Sequence, residues 1–298
     1  MNSLQKLVGY LAFATLWIVS PSVVRADPYP ADLLVEVSDL SADSAKSWII
    51  LDARPKPDYE KGHIPGARWV DHATWAKTFG DGEDLKGWAA KLGDLGISAK
   101  DTIVVYDNSF SKDAARIWWI VRYWGVENAK LLNGGWAAYE GNKGPTSIVP
   151  VFVKKTTFVP KADQSVLATK EELMKSLKTQ SLQIVDSRSE KEHCGLDPLK
   201  NKRAGAIPSA KLLEWKDLLD PNTQKFKPKA ELQKLFEVAG IDLQRPTVTH
   251  CQSGGRAAVM AFGMELMGGK NVKNYYRSWA EWSADPTAPV VKPPQPKK

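Results

Sequence analysis

Cysteine is scarce in this chain: two in 298 residues, Cys194 and Cys251. Exported domains that rely on disulfides usually carry more, so this fold is not held together by cysteine staples. Long hydrophobic runs are scarcer still. The one present, Leu7 to Val19 after Lys6, has the length of a signal-peptide core and falls short of the roughly 20 apolar residues of a membrane span. Val24-Arg25-Ala26 then places modest and small side chains before a cut at Asp27. Residues 1–26 are therefore expected to be a signal peptide, with an uncleaved anchor as the rival reading. With no second run of comparable length, no stable membrane insertion is expected after cleavage, and the chain is expected to be exported, to the periplasm if bacterial. A concentrated basic stripe is also missing. The formal charge of +7 is scattered, and its one cluster, Lys292 to Lys298, is Pro-rich and reads as part of a disordered tail over 287–298. A nucleic-acid-binding face would need basic residues gathered on a folded surface with aromatics between them. No nucleic acid is expected as a partner, and the charge is at most a weak pointer to a small anionic substrate.

What is present is a repeat. Ile49-Ile50-Leu51-Asp52-Ala53-Arg54 matches Gln183-Ile184-Val185-Asp186-Ser187-Arg188. Gly62-His63-Ile64-Pro65-Gly66-Ala67 matches Gly205-Ala206-Ile207-Pro208-Ser209-Ala210. Thr102 to Asp107 matches Pro246 to Cys251, and Leu132 to Trp136 matches Tyr275 to Trp279. Four blocks in one order at a near-constant offset point to a duplicated domain. Hydrophobic content of 43% and charged content of 25% are ordinary for globular chains of this kind. Short β-branched runs at 47–51, 102–106, 182–186 and 246–250 read as buried strands, and 114–124 and 256–267 as helices. The alternation predicts α/β architecture: two tandem domains, each a parallel sheet flanked by helices, with ligands at the carboxyl ends of strands. The twelve tryptophans, Trp118-Trp119 among them, are core residues by default.

Cys251 follows the predicted strand at 246–250 and precedes a predicted helix, with Gln252-Ser253-Gly254-Gly255-Arg256 between. Successive N–H groups in such a loop can converge into an anion-binding nest, and the helix dipole adds to the field. Both would favour a thiolate, the nucleophilic form, and equally a persulfide anion on its outer sulfur. Gly254 and Gly255 permit the tight backbone path. The bland alternatives are a small buried hydrophobe for Cys251 and an acid-paired arginine at a helix start for Arg256.

On these residues, with Ala115-Arg116-Ile117-Trp118-Trp119 and Leu132-Asn133-Gly134-Gly135-Trp136, the chain resembles the tandem-domain rhodanese family. Thiosulfate and 3-mercaptopyruvate sulfurtransferases belong to that family, and the likeness covers essentially the whole mature length. The resemblance implies an inactive rhodanese-like domain over 27–145, a linker over 146–168 and a catalytic domain over 169–286. Asp107 stands in the first domain where the second has Cys251, and that first loop is one residue longer. The implied reaction is ping-pong. Cys251 takes sulfur from a small anionic donor such as thiosulfate and passes it to cyanide or a thiol, with no metal or organic cofactor. Gln252, Ser253, Gly254, Gly255 and Arg256 would bind the donor. Asp186 would position the loop by accepting its N–H groups, with Arg188 as partner; a structural ion pair is the equal alternative, supported by the parallel Asp52 and Arg54.

The match has departures. The loop lacks the basic residue two places after cysteine typical of the thiosulfate enzymes, and the Val-Thr ending of the mercaptopyruvate enzymes. A second donor-binding arginine expected after Arg188 is replaced within Glu190-Lys191-Glu192-His193-Cys194, a charge that Arg256 could supply. Cys194 is either a reversible disulfide partner of Cys251 or a buried free thiol. Phe110 and Lys112 face either the cleft or ordinary surface, while His193 and His250 read as packing residues rather than proton carriers. Two other functions fit less well. A cysteine phosphatase would need five residues between cysteine and arginine, where Gln252 to Gly255 are four. A persulfide carrier with a protein acceptor would use the same loop.

Overall fold

The computed structural model describes residues 29–295; the segment read as a signal peptide, 1–26, lies outside the described residues. The first domain comprises β1 (Leu34–Val35), β2 (Ile49–Asp52), α1 (Lys56–Lys61), β3 (Arg68–Trp69), α2 (His72–Thr78), α3 (Leu85–Asp94), β4 (Thr102–Tyr106), α4 (Lys112–Tyr123), β5 (Asn128–Leu132) and α5 (Gly135–Gly141). The second comprises α6 (Lys170–Thr179), β6 (Gln183–Asp186), α7 (Glu190–His193), β7 (Lys211–Leu212), α8 (Lys229–Val238), β8 (Thr247–His250), α9 (Gly255–Leu266), β9 (Val272–Asn274) and α10 (Ser278–Ala284).

Both sheets are wholly parallel, ordered β1-β5-β4-β2-β3 and β7-β6-β8-β9. The central strands are buried along nearly their whole length, as strands covered by helices on both sides must be, and β6 and β8 bury polar residues too, Gln183, Thr247 and Thr249 among them. The duplication extends to individual hydrogen bonds. Ala53 N–H donates to Tyr106 O and Ser187 N–H to His250 O; Trp136 N–H donates to Asp107 O and Trp279 N–H to Cys251 O. The counterpart of β1 has shrunk to a single parallel bridge, Leu167 to Asn274, at the edge of the second sheet.

The two domains share one apolar core. Helix α4, whose Ile117 to Val121 are all buried, packs against α9, and Trp118 meets Phe262 edge to face at 4.9 Å between centroids. One buried cluster runs from Ile103 and Trp119 through Phe262 and Met264 to Leu232. Burial at about 25 cal/mol per Å² of apolar surface makes that seam a strong reason for the halves to stay fixed.

Residues 145–168 have little regular structure but are strapped to the first domain, through Thr156 N–H to Gly93 O, Lys161 N–H to Trp124 O and Asp163 N–H to Tyr123 O. The expected disordered tail needs correcting over 287–295. Val291 pairs with Ala206 in an antiparallel bridge, Ala288 is buried, and Trp282 Nε1 donates to Pro289 O. Backbone pairing and apolar burial outweigh the tail's Pro-rich composition there.

Candidate active site

Strand β8 lies between β6 and β9, and Cys251 immediately follows its carboxyl end, with its side chain 1% exposed. Its backbone is fixed from both sides: Cys251 N–H donates to Ser278 Oγ at 3.1 Å, and Cys251 O accepts from Trp279 N–H at 3.0 Å. Ser278 adopts a left-handed conformation (φ 54°), an uncommon state for serine, and its hydroxyl donates to Tyr275 O. Its part in holding Cys251 depends on that local turn, which the sequence does not signal.

The loop then turns through Gly254 (φ 85°), the residue before α9, where a Cβ would run into Tyr276. Asn274 Nδ2 ties the turn by donating to Gly254 O at 3.0 Å. Among the described residues, no protein oxygen accepts from the N–H groups of Ser253, Gly254, Gly255, Arg256 or Ala257. Backbone donors are nearly always paired when removed from water, so the open ones on the buried Gly254, Gly255 and Ala257 leave the loop able to take an acceptor.

The first domain shows what such a loop holds. Asp107, 2% exposed, receives N–H bonds from Ser109 (3.1 Å), Ser111 (3.0 Å), Asp113 (2.8 Å) and Ala114 (2.8 Å), and a hydroxyl bond from Ser109. Counted from the residue before each helix, Ser111 and Gly254, the donors Asp113 and Ala114 correspond to Arg256 and Ala257. The extra residue of the first loop is taken up by two consecutive left-handed residues, Phe110 and Ser111.

Cys251 opens on a cleft of about 440 Å³ between the domains, lined by Lys112 and Arg116 of α4, by Glu214, Trp215 and Lys216, and by Ser253 and Arg256 of the loop. Lys112 therefore does face the cleft, and Phe110 sits beside it under Lys216. The sequence does not single out Arg116, Trp215 or Lys216: the packing of α4 on α9 brings Arg116 to the cysteine, while Trp215 and Lys216 arrive from the segment after β7, where Trp215 N–H donates to Ser187 O.

Arg256 reaches the cleft but is not free there. It makes a bidentate pair with Glu192, Nη1–Oε2 2.6 Å and Nη2–Oε1 2.8 Å. Burial disfavours the charged guanidinium, yet the Glu192 bonds and the neighbouring Cys251 push its pKa up; burial likewise opposes the Glu192 carboxylate, and Arg256 holds it below the usual range. Glu192 is fixed in turn by a capping box with Ser189. Gln252 exchanges two amide bonds with Asn201 (2.7 and 3.0 Å). Gly255 lies beneath the Arg116 guanidinium.

Asp186 and Arg188 lie behind the loop, fully buried. The backbone N–H that Asp186 accepts is that of Arg188 (3.1 Å) and not one of the loop's. Its carboxylate is saturated by the Arg188 guanidinium (2.7 Å) and His193 Nδ1 (2.9 Å). Burial opposes the ionised Asp186, but the nearby His250, the Arg188 guanidinium and the His193 hydrogen bond outweigh it and hold the carboxyl well below the usual range. Arg188 also donates to Gly205 O and stacks on Trp279 at 4.3 Å. Arg54 repeats every contact, with Asp52, Gly62 O and Trp136 at 3.8 Å. A pair so closely copied in the domain without a cysteine braces the strand end against the following turn.

Both cysteines are free thiols. Cys194 Sγ contacts Pro294 O at 3.6 Å, and burial pushes its thiol pKa up. His250 is completely buried and neither ring nitrogen has a partner; Nε2 stands 3.7 Å from Asp186.

A cysteine loop at a strand end, in a doubled parallel α/β framework with one open and one filled loop, places the chain among tandem-domain parallel α/β proteins. The Rhodanese-like domain matches residues 36–142 and 169–285, and the chain belongs to the rhodanese family of sulfurtransferases. It is 35% identical over 282 residues to a thiosulfate sulfurtransferase of Corynebacterium glutamicum (86% of this chain, 91% of that one). It is 28% identical over 276 residues to thiosulfate/3-mercaptopyruvate sulfurtransferase 2 of Arabidopsis thaliana (82% and 80%). The fold is shared with SseA of Escherichia coli, described with the 3-mercaptopyruvate sulfotransferases (TM-score 0.73, 24% identity, 83% of this chain and 98% of that one). An anaerobic ergothioneine biosynthesis enzyme of Chlorobium limicola shares it too (TM-score 0.73, 23% identity, 86% and 69%).

Proposed function

We propose that the protein moves a sulfane sulfur from thiosulfate or a similar donor to cyanide or a thiol through a persulfide on Cys251. One observation carries this reading: two copies of one loop, the first holding the Asp107 carboxylate on four backbone N–H groups and the second leaving its donors open around Cys251. In the first half-reaction the Cys251 thiolate attacks the outer sulfur of thiosulfate. The sulfur–sulfur bond of the donor breaks, and sulfite leaves with the electron pair. The negative charge now lies on the outer sulfur of the persulfide, where loop N–H groups can hold it as their counterparts hold Asp107. In the second half-reaction cyanide or a thiolate attacks that outer sulfur, and thiocyanate or a new persulfide departs as the Cys251 thiolate is restored. Removing one such donor in comparable sites costs about 3 kcal/mol of transition-state stabilisation.

Intact mass of the reduced mature protein, before and after thiosulfate, tests the cycle beside Cys251→Ser. A gain of one sulfur atom in the wild type alone, removed by cyanide, is expected. Absence of loading from both thiosulfate and 3-mercaptopyruvate would sink the reading. We also propose that the chain is exported, on the strength of Lys6, the apolar run 7–19 and Val24-Arg25-Ala26. Mature protein recovered from cells with its N-terminus near Asp27 would support export, and an intact Met1 would count against it.

A further inference from the structure

Four cations line the Cys251 cleft, and they are not equivalent. Arg256 is committed to Glu192 through both terminal nitrogens. Lys112 lies 3.6 Å from the carboxylate of its own neighbour, Asp113. Arg116 and Lys216 have no carboxylate within salt-bridge distance among the described residues. Arg116 donates to Tyr276 Oη at 3.3 Å and lies 5.6 Å from that ring; Lys216 Nζ lies 5.8 Å from the Phe110 ring and 5.7 Å from Trp215. Aromatic faces hold a cation in place without neutralising it. Glu214 is the only acid among the lining residues, and burial with the nearby Asp217 pushes its pKa up.

We infer that Arg116 and Lys216, one from each domain, bind the anionic end of the sulfur donor while Arg256 serves as a fixed brace of the loop. This deepens the sulfur-transfer reading and rests on it. The donor must carry a transferable sulfur and a second anionic oxygen group, either the sulfonate of thiosulfate or the carboxylate of 3-mercaptopyruvate. A guanidinium fork matches two oxygens of either group, and the lysine supplies a point charge from the opposite wall. Gly255 contributes by leaving the guanidinium room directly over the loop. The geometry explains how the chain manages with Glu192 in the segment after Arg188 and no basic residue two places after Cys251: the free positive charge comes from Arg116 across the domain boundary and from Lys216 on the opposite wall.

The test is steady-state kinetics with each donor in turn, together with sulfur loading at saturating donor. Arg116→Gln and Lys216→Gln are each expected to raise the KM for the competent donor about tenfold, the loss of one charge-assisted contact, with kcat within about threefold. Arg116→Lys and Lys216→Arg should restore most of the affinity, which a purely structural role would not produce. The donor whose KM moves identifies the recognised group as sulfonate or carboxylate. KM unchanged within about twofold in both neutral variants, or a loss confined to kcat, would overturn the clamp. Lys216 is exposed, so its variants remain informative if Arg116→Gln folds poorly. Wild-type protein that fails to load sulfur at all would instead defeat the underlying sulfur-transfer reading, so the two failures are distinct.

Discussion

Gly255 and Arg116 belong to different domains and touch: the space a Cβ on Gly255 would occupy is filled by the Arg116 guanidinium. Gly255 is not in a left-handed conformation, so Gly255→Ala is a purely steric probe. The displaced group is the end of a flexible side chain, and folding should cost no more than about 1 kcal/mol, a fall of roughly 2–4 °C in Tm. The KM for the donor should nevertheless rise several-fold as Arg116 is pushed aside. Gly254→Ala is expected to be worse, by about 1–3 kcal/mol, because φ is 85° and backbone of Tyr276 stands in the way. Thermal melts beside donor kinetics separate the two.

The buried pairs Asp52–Arg54 and Asp186–Arg188 predict a symmetric result. Removing the arginine leaves a buried carboxylate uncompensated, at a cost of about 3–5 kcal/mol. Arg54→Met and Arg188→Met should destabilise to similar extents by urea unfolding. Protein carrying Arg54→Met, once folded, should load sulfur with the wild-type donor KM.

Asp107→Ala strips the acceptor from four N–H groups while leaving the Cys251 loop untouched. Each buried donor left unmet costs about 1–3 kcal/mol, so a loss of at least about 2 kcal/mol is expected even if water enters. Asp107→Asn, which keeps one carbonyl oxygen in place, should lose less. Equal losses in the two variants would show that a neutral oxygen is worth nothing to the nest and that it requires the charged carboxylate.

His250 fixes a pH dependence. Burial lowers its pKa from 6.5 to about 4. The unfolded chain therefore takes up a proton that the folded chain refuses over this window. Stability from this source is complete above about pH 6.5 and drains away as the pH falls towards 4, by up to about 3 kcal/mol. His250→Met, which removes two unpartnered buried nitrogens, should flatten the slope of Tm against pH between 6.5 and 4.5. An unchanged slope would assign the acid sensitivity elsewhere.

The repeat, the strand runs and the cysteine loop could be read directly because each is local: β-branched runs, paired glycines and a helix start are neighbours in the chain. The fate of Arg256 was not legible, since Glu192 lies 64 residues away and its approach depends on how α7 docks beside the loop. Arg116 was visible only as part of a tryptophan-bearing helix pattern. Its place over Gly255 follows from the α4–α9 seam, a long-range packing choice that leaves no periodic trace. The tail failed for a related reason, because its composition resembles disorder while Val291 finds an open strand position at Ala206. Asp186 shows the converse: a short motif located the residue, but only the turn that brings His193 beneath it decides which protons it accepts.

The filled loop around Asp107 also bears on the resting enzyme. One half of the molecule holds a fixed carboxylate, Asp107, on its backbone donors; on the proposed cycle the other holds an anionic sulfur that moves outward when Cys251 is loaded. The charge of the loop is the same before and after loading on that cycle, and what changes is its distance from the open N–H groups. On the proposed cycle, sulfur on Cys251 would be a transient ligand for the fold as well as cargo, and the loaded form is expected to unfold at a higher temperature than the empty one.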